Sequence, residues 1–214
     1  MNIRSPFTLL IALSLAAHAQ DPATSFAVTS AFPKYVTADI EFRDPSGAKW
    51  PNFFYGKPAT DAGIIDLNPT KPTASFTLVC DKMAQDRGDQ SRRVIGELCA
   101  PEKPPVLTLT VSGIGPLQAT VAGAKDKNKP GSSAELTGTL DIAGRKLPVK
   151  ALTSFRQHDG KGYEKNAALM LDGKFTIKAS TLGLKTLAPT ADIEVRFGMT
   201  AYPPEMAASG GKAK

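Results

Sequence analysis

Histidine is almost missing from this chain, with His18 and His158 the only two in 214 residues. Imidazole is the commonest general acid–base group and the middle member of Ser-His-Asp and Cys-His machinery, so little remains from which to build such an enzyme. Cysteine is equally scarce. Cys80 and Cys99 have no histidine near them in sequence, which falls short of the four nitrogen and sulfur ligands of a structural zinc site. A phosphate-cradling Gly loop and a nucleophile elbow are absent as well. Carboxylates do occur in pairs, but most fall on the polar side of alternating stretches or in turns, where no cleft is implied. The expectation is a non-catalytic protein with no metal and no cofactor of its own.

Clustered positive charge is another absence. The net charge is +6, but the lysines and arginines are scattered among acids. Without a basic block or an aromatic-bearing motif, nucleic acid is not an expected partner.

Long apolar runs are confined to one place, Phe7 to Ala17, preceded by Arg4 and followed by the small-residue pattern Ala17-His18-Ala19. A positive start, a short apolar core and a small-residue cut site together make a secretory signal peptide, cleaved after Ala19. A membrane-spanning helix needs roughly 20 apolar residues, so the run is too short to remain as an anchor, and no other segment is apolar enough to span. Neither cysteine lies near the cut to carry a lipid. The expected location is therefore periplasmic or secreted.

An exported chain matures in an oxidising compartment, where two thiols normally close. A Cys80–Cys99 disulfide is expected, stabilising the fold by about 3 kcal/mol in the chain-entropy model. It would staple the charged loop 81–98, expected to be a short helical or irregular excursion.

What the chain does have is alternation. Leu107, Leu109 and Val111 point one way and Thr108 and Thr110 the other, as in a strand buried on one face. Leu136, Gly138, Leu140 and Ile142 repeat the pattern, and Ala143 to Lys146 turn the chain into Leu147, Val149, Ala151 and Phe155. Asp172-Gly173 reads as a turn pair between 167–171 and a strand carrying Phe175 and Ile177. Ile193, Val195, Phe197 and Met199 form the last apolar face, opposite Asp192, Glu194 and Arg196. Earlier, 35–42 and 73–80 alternate, whereas Asp44 to Thr60, with Pro45, Pro51, Pro58 and the aromatics Trp50, Phe53, Phe54 and Tyr55, reads as a long ordered loop. His158 falls in a polar turn. About seven to nine strands, each with one apolar face, must share one interior. The fold class is all-β, either a closed antiparallel barrel or a two-layer sandwich, between which periodicity alone does not choose. The expected layout is a signal peptide at 1–19, one domain at 20–202 and a disordered tail at 203–214.

The stretch Leu136-Thr137-Gly138-Thr139-Leu140-Asp141-Ile142-Ala143-Gly144, then Leu147-Pro148-Val149, then Gly173 to Leu184 with its Phe175-Thr176-Ile177 strand, and the closing Asp192 to Thr200, resemble in order and spacing the YceI-like family of exported bacterial proteins. The resemblance covers roughly Pro104 to Tyr202. It implies an antiparallel lipocalin-like barrel of about eight strands holding a polyisoprenoid or fatty chain, and the inward sets read from alternation, Leu107, Leu109, Leu140, Val149, Phe175, Ile177, Ile193, Val195 and Phe197, are then the candidate lining residues. Small inward residues such as Gly138, Ala151 and Ala168 would leave room for it, or would mark barrel corners. The alternative function is an envelope module with a filled core, docking a protein partner through Trp50 to Tyr55. A homodimer is compatible with either.

Overall fold

The computed structural model describes residues 24–29, 38–43, 52–59, 63–85, 97, 106–120, 131–142, 144–159, 167–185 and 187–208. The strands are β1 (Ser25–Val28), β2 (Ala38–Arg43), β3 (Asn52–Pro58), β4 (Gly63–Asp66), β5 (Thr73–Gln85), β6 (Leu107–Ile114), β7 (Gln118–Ala119), β8 (Ser132–Ile142), β9 (Arg145–Asp159), β10 (Ala167–Lys178) and β11 (Asp192–Ala201); the helices are α1 (Ala179–Leu182) and α2 (Pro204–Ala208). The expected leader, Trp50 and Cys99 lie outside the described residues.

Every neighbouring pair is antiparallel. β6, β8, β9, β10, β11, β2, β3 and β5 follow one another by hydrogen bonding, and β5 pairs back onto β6. At Leu78 to Cys80 both edges of β5 are occupied, one by β3 and the other by β6. Eight strands therefore close into a ring, and the sandwich alternative falls. Closure removes the exposed edges that an open sheet would leave. β1 and β4 extend the wall beside the start of β5 and reach the end of β11 through the Ala27–Tyr202 bridge.

Alternation sends one face of each strand inward. Ile40, Phe42, Phe76, Leu78, Leu107, Leu109, Leu136, Leu140, Phe155, Leu171, Ile193, Val195 and Phe197 all join one buried core. At the Tyr202 end, Phe26, Val28, Ile65 and Leu67 complete it. At the other end, where Gly144 turns β8 into β9, it is completed by Ala179, Leu182 and Leu184 from α1 and the segment after it.

Several expectations are corrected. Asn52 to Pro58 is not a loop but β3, paired on both sides; its aromatics favour extended backbone, and the prolines at 51 and 58 fall at its ends. Asp172-Gly173 is not a turn but the middle of β10, because Gly173 lies directly opposite Phe197, whose ring occupies the place where a β-carbon would sit. Gly138 does not leave a void. The Thr110 main-chain carbonyl of β6 approaches so closely that a β-carbon there would overlap it, beside a register shift between Val111 and Gly113 that bends the strand. Ala168 faces out of the barrel, packed with Tyr202 and Met206. That packing orders α2, where a disordered tail is expected. His158 is in β9 opposite Ala168, half-buried.

Candidate functional site

All nine candidate lining residues face the barrel interior. They come from β6 (Leu107, Leu109), β8 (Leu140), β9 (Val149), β10 (Phe175, Ile177) and β11 (Ile193, Val195, Phe197), and the alternation of each strand aims them at a common axis. The inner wall is almost entirely hydrocarbon. Its polar exceptions among the described residues are the Thr153 hydroxyl, which donates to the Ala151 carbonyl at 3.1 Å, and the Cys80 thiol.

Among the described residues there is no disulfide. Cys80 lies on the inner face of β5, opposite Leu107, and Cys99, its expected partner, lies outside the described residues. Burial, helped by the charges of Asp39 and Asp81, pushes the Cys80 thiol up to about 12, so the reactive thiolate is scarce at neutral pH. In native protein kept reduced at pH 8, iodoacetamide is expected to modify Cys80 at least about a hundredfold more slowly than in the reduced, unfolded chain, measured by peptide mass spectrometry after quenching. Fast native labelling would show that the side chain is accessible.

The interior is not equally tight all round. Leu107, Leu109, Leu140, Ile193, Val195 and Phe197 are 0–2% exposed, whereas Val149, Phe175 and Ile177 are each 7% exposed. Those three belong together in space, and strand pairing explains why. The β9–β10 ladder runs from Ala167–Asp159 to Lys174–Leu152 and stops there. Beyond that point β9 continues on β8 as far as Ile142–Arg145, and β10 continues on β11 as far as Lys178–Asp192. The two strands part, and a seam is left in the wall between 145–151 and 175–178. It is bounded at one end by the last ladder pair and at the other by Arg145, whose guanidinium donates to the Leu182 carbonyl of α1.

A hollow of about 380 Å³ lies outside the seam, lined by Glu135, Lys150, Leu152, Lys174, Phe175, Thr176 and Glu194. Phe175 thus contributes both to the inner wall and to this outer hollow. Leu152, on the lip, is 57% exposed. None of the outer residues is among the candidates read from sequence. Pro148 is the one signal that could have found them, since proline inside a sheet is confined to open edges, first positions or bulges.

A larger groove of about 730 Å³ runs along the outer wall over β2, β11, β10 and β9. It is polar. Asp39 and Asp172 flank Gly198, and Arg156 pairs with Asp172 at 2.6 Å. Desolvation, then the charges of Asp172 and Glu41, hold the Asp39 carboxyl above its usual range. Phe197, one of the nine inward candidates, and Thr153 of the inner face are among the residues that line the groove.

No protein-family model matches the chain, and no curated protein matches it. Two solved structures are similar in fold. Burkholderia cenocepacia BcnA is 19% identical, with 77% of this chain and 96% of that chain covered and a TM-score of 0.49. A polyisoprenoid binding domain from Saccharophagus degradans, implicated in plant cell wall breakdown, is 13% identical, with 85% and 99% covered and a TM-score of 0.43.

Proposed function

We propose that this protein is an exported, non-enzymatic carrier that holds a single apolar chain, polyisoprenoid or fatty, inside the barrel for sequestration or transport. One observation carries the reading: the eight strands of a closed ring turn hydrocarbon side chains onto a shared interior. Barrels of this strand number have room to be filled by side chains or to take one small ligand. Each methylene of a buried tail contributes about 0.8 kcal/mol, so a long tail binds with almost no polar contact. The sequence resemblance to the YceI-like family supports the same ligand class, and the stretch 1–19 supports export.

The tight packing around Leu107, Leu140, Ile193 and Val195 favours a second reading, an envelope module whose core is simply full. Organic extraction of protein purified from its native host, followed by mass spectrometry, separates the two. The carrier reading expects one lipid class near one molecule per barrel. Lipid-free protein whose melting temperature is unmoved by added isoprenoid or fatty acid would support the filled-core module instead. The same mass spectra test whether the mature chain begins at Gln20.

A further inference from the structure

We infer that the apolar chain enters and leaves the barrel sideways, through the seam between β9 and β10, rather than through either end. This rests on the reading of the interior as a lipid site. Both ends are covered by core-forming side chains: Phe26, Val28, Ile65 and Leu67 at the Tyr202 end, and Ala179, Leu182 and Leu184 at the Gly144 end. Opening an end means stripping these from the core. At the seam there is no interstrand ladder to break, because the β9–β10 register pairs stop at Leu152–Lys174.

Three further features fall at the same place. The interior candidates that solvent reaches most, Val149, Phe175 and Ile177, line the inside of the seam. The hollow outside it is lined in part by one of them, Phe175. The exposed Leu152 supplies apolar surface at the rim, where a tail leaving water would first touch protein. β10 contributes 175–178 to the opening, about 13 Å of strand at 3.3 Å per residue. A gap of that length suits one extended tail lying across it. The Arg145–Leu182 hydrogen bond closes its lower end, tying the start of β9 to α1, which follows β10 directly. Widening the gap requires only that this tie lengthen and that Val149 and Ile177 move apart.

Continuing the β9–β10 register would set Lys150 opposite Thr176, with both side chains on the outer face. A Lys150→Cys/Thr176→Cys pair, once oxidised, holds the seam shut, and Arg145→Ala unties its lower end. The probe is cis-parinaric acid, followed by stopped-flow fluorescence on the full chain. Oxidation of the 150/176 pair is expected to slow uptake at least about tenfold, with recovery on reduction, and Arg145→Ala is expected to quicken it. As a control, Met170→Cys/Thr200→Cys joins β10 to β11 across an intact ladder away from the seam and its hollow and should leave the rate unchanged. Uptake at the parental rate in both the locked and the untied protein overturns the lateral route while leaving the carrier reading intact. Failure of every form, parent included, to bind the probe overturns the carrier reading and the route with it.

Discussion

Gly138→Ala is expected to destabilise the protein by about 3 kcal/mol or more, far beyond the roughly 1 kcal/mol typical of point changes. The reason is geometric. The new methyl group would overlap the Thr110 carbonyl oxygen, and that oxygen belongs to the main chain of β6, which is paired on its other side with β5. A side chain could rotate away, but a strand held on both edges cannot move without disturbing two ladders. Gly173→Ala provides the contrast, since the group it meets is the Phe197 ring. Phe197→Leu in the same molecule is expected to recover part of the loss at 173, whereas no side-chain change on β6 should recover the loss at 138. Urea unfolding of the parent, the two glycine variants and each glycine variant combined with its second-site change measures both effects. Comparable recovery at both positions would mean that β6 is free to shift.

The second large effect is expected at the centre of the barrel. Leu109 and Leu140 are directly opposed on β6 and β8 and are at most 1% exposed. Truncating either to alanine should cost about 2–5 kcal/mol, the usual range for a buried leucine whose surroundings collapse only partly. Being neighbours, the two losses should not add simply. Ligand linkage makes the experiment informative about function. The space vacated in an apolar interior stays dry and accepts hydrocarbon, so cis-parinaric acid should raise the melting temperature of Leu140→Ala by more than it raises that of the parent. Equal shifts would show that the probe binds away from this part of the interior, and a loss under about 1 kcal/mol would show that the interior is already loose.

Much of the barrel is legible in sequence because antiparallel strands with one wet face write their orientation into every second residue. β6, β8, β9 and β11 show this clearly, and with it the inward set from Leu107 to Phe197. What escapes reading has local causes. In β3, Pro51, Gly56 and Pro58 imitate a loop, although two of them bound the strand and Gly56 lies at its register shift with β5. Asp172-Gly173 imitates a turn, because its real reason, the Phe197 ring 24 positions later, appears only once β10 and β11 are side by side. Ala168 follows the small-residue pattern of an inward position yet faces Tyr202 and Met206. The seam is the hardest to foresee. Which strands pair follows from alternation and turns, but where a ladder stops depends on how the whole wall twists, and Pro148 alone hints at it.

The parting of β9 and β10 also matters for solubility. It leaves two short strand edges whose peptide groups lack a neighbour along 145–151 and 175–178, and such edges invite pairing with another copy of the chain. Lysines at 146, 150, 174 and 178 stand along these borders. Lys150 is 73% exposed even while 3.5 Å from Glu135. A second strand docking on either edge would have to strip water from these ammonium groups before any backbone bond could form. The residues that border the opening thus also guard its edges, by the edge lysines that sheets use against pairing between copies.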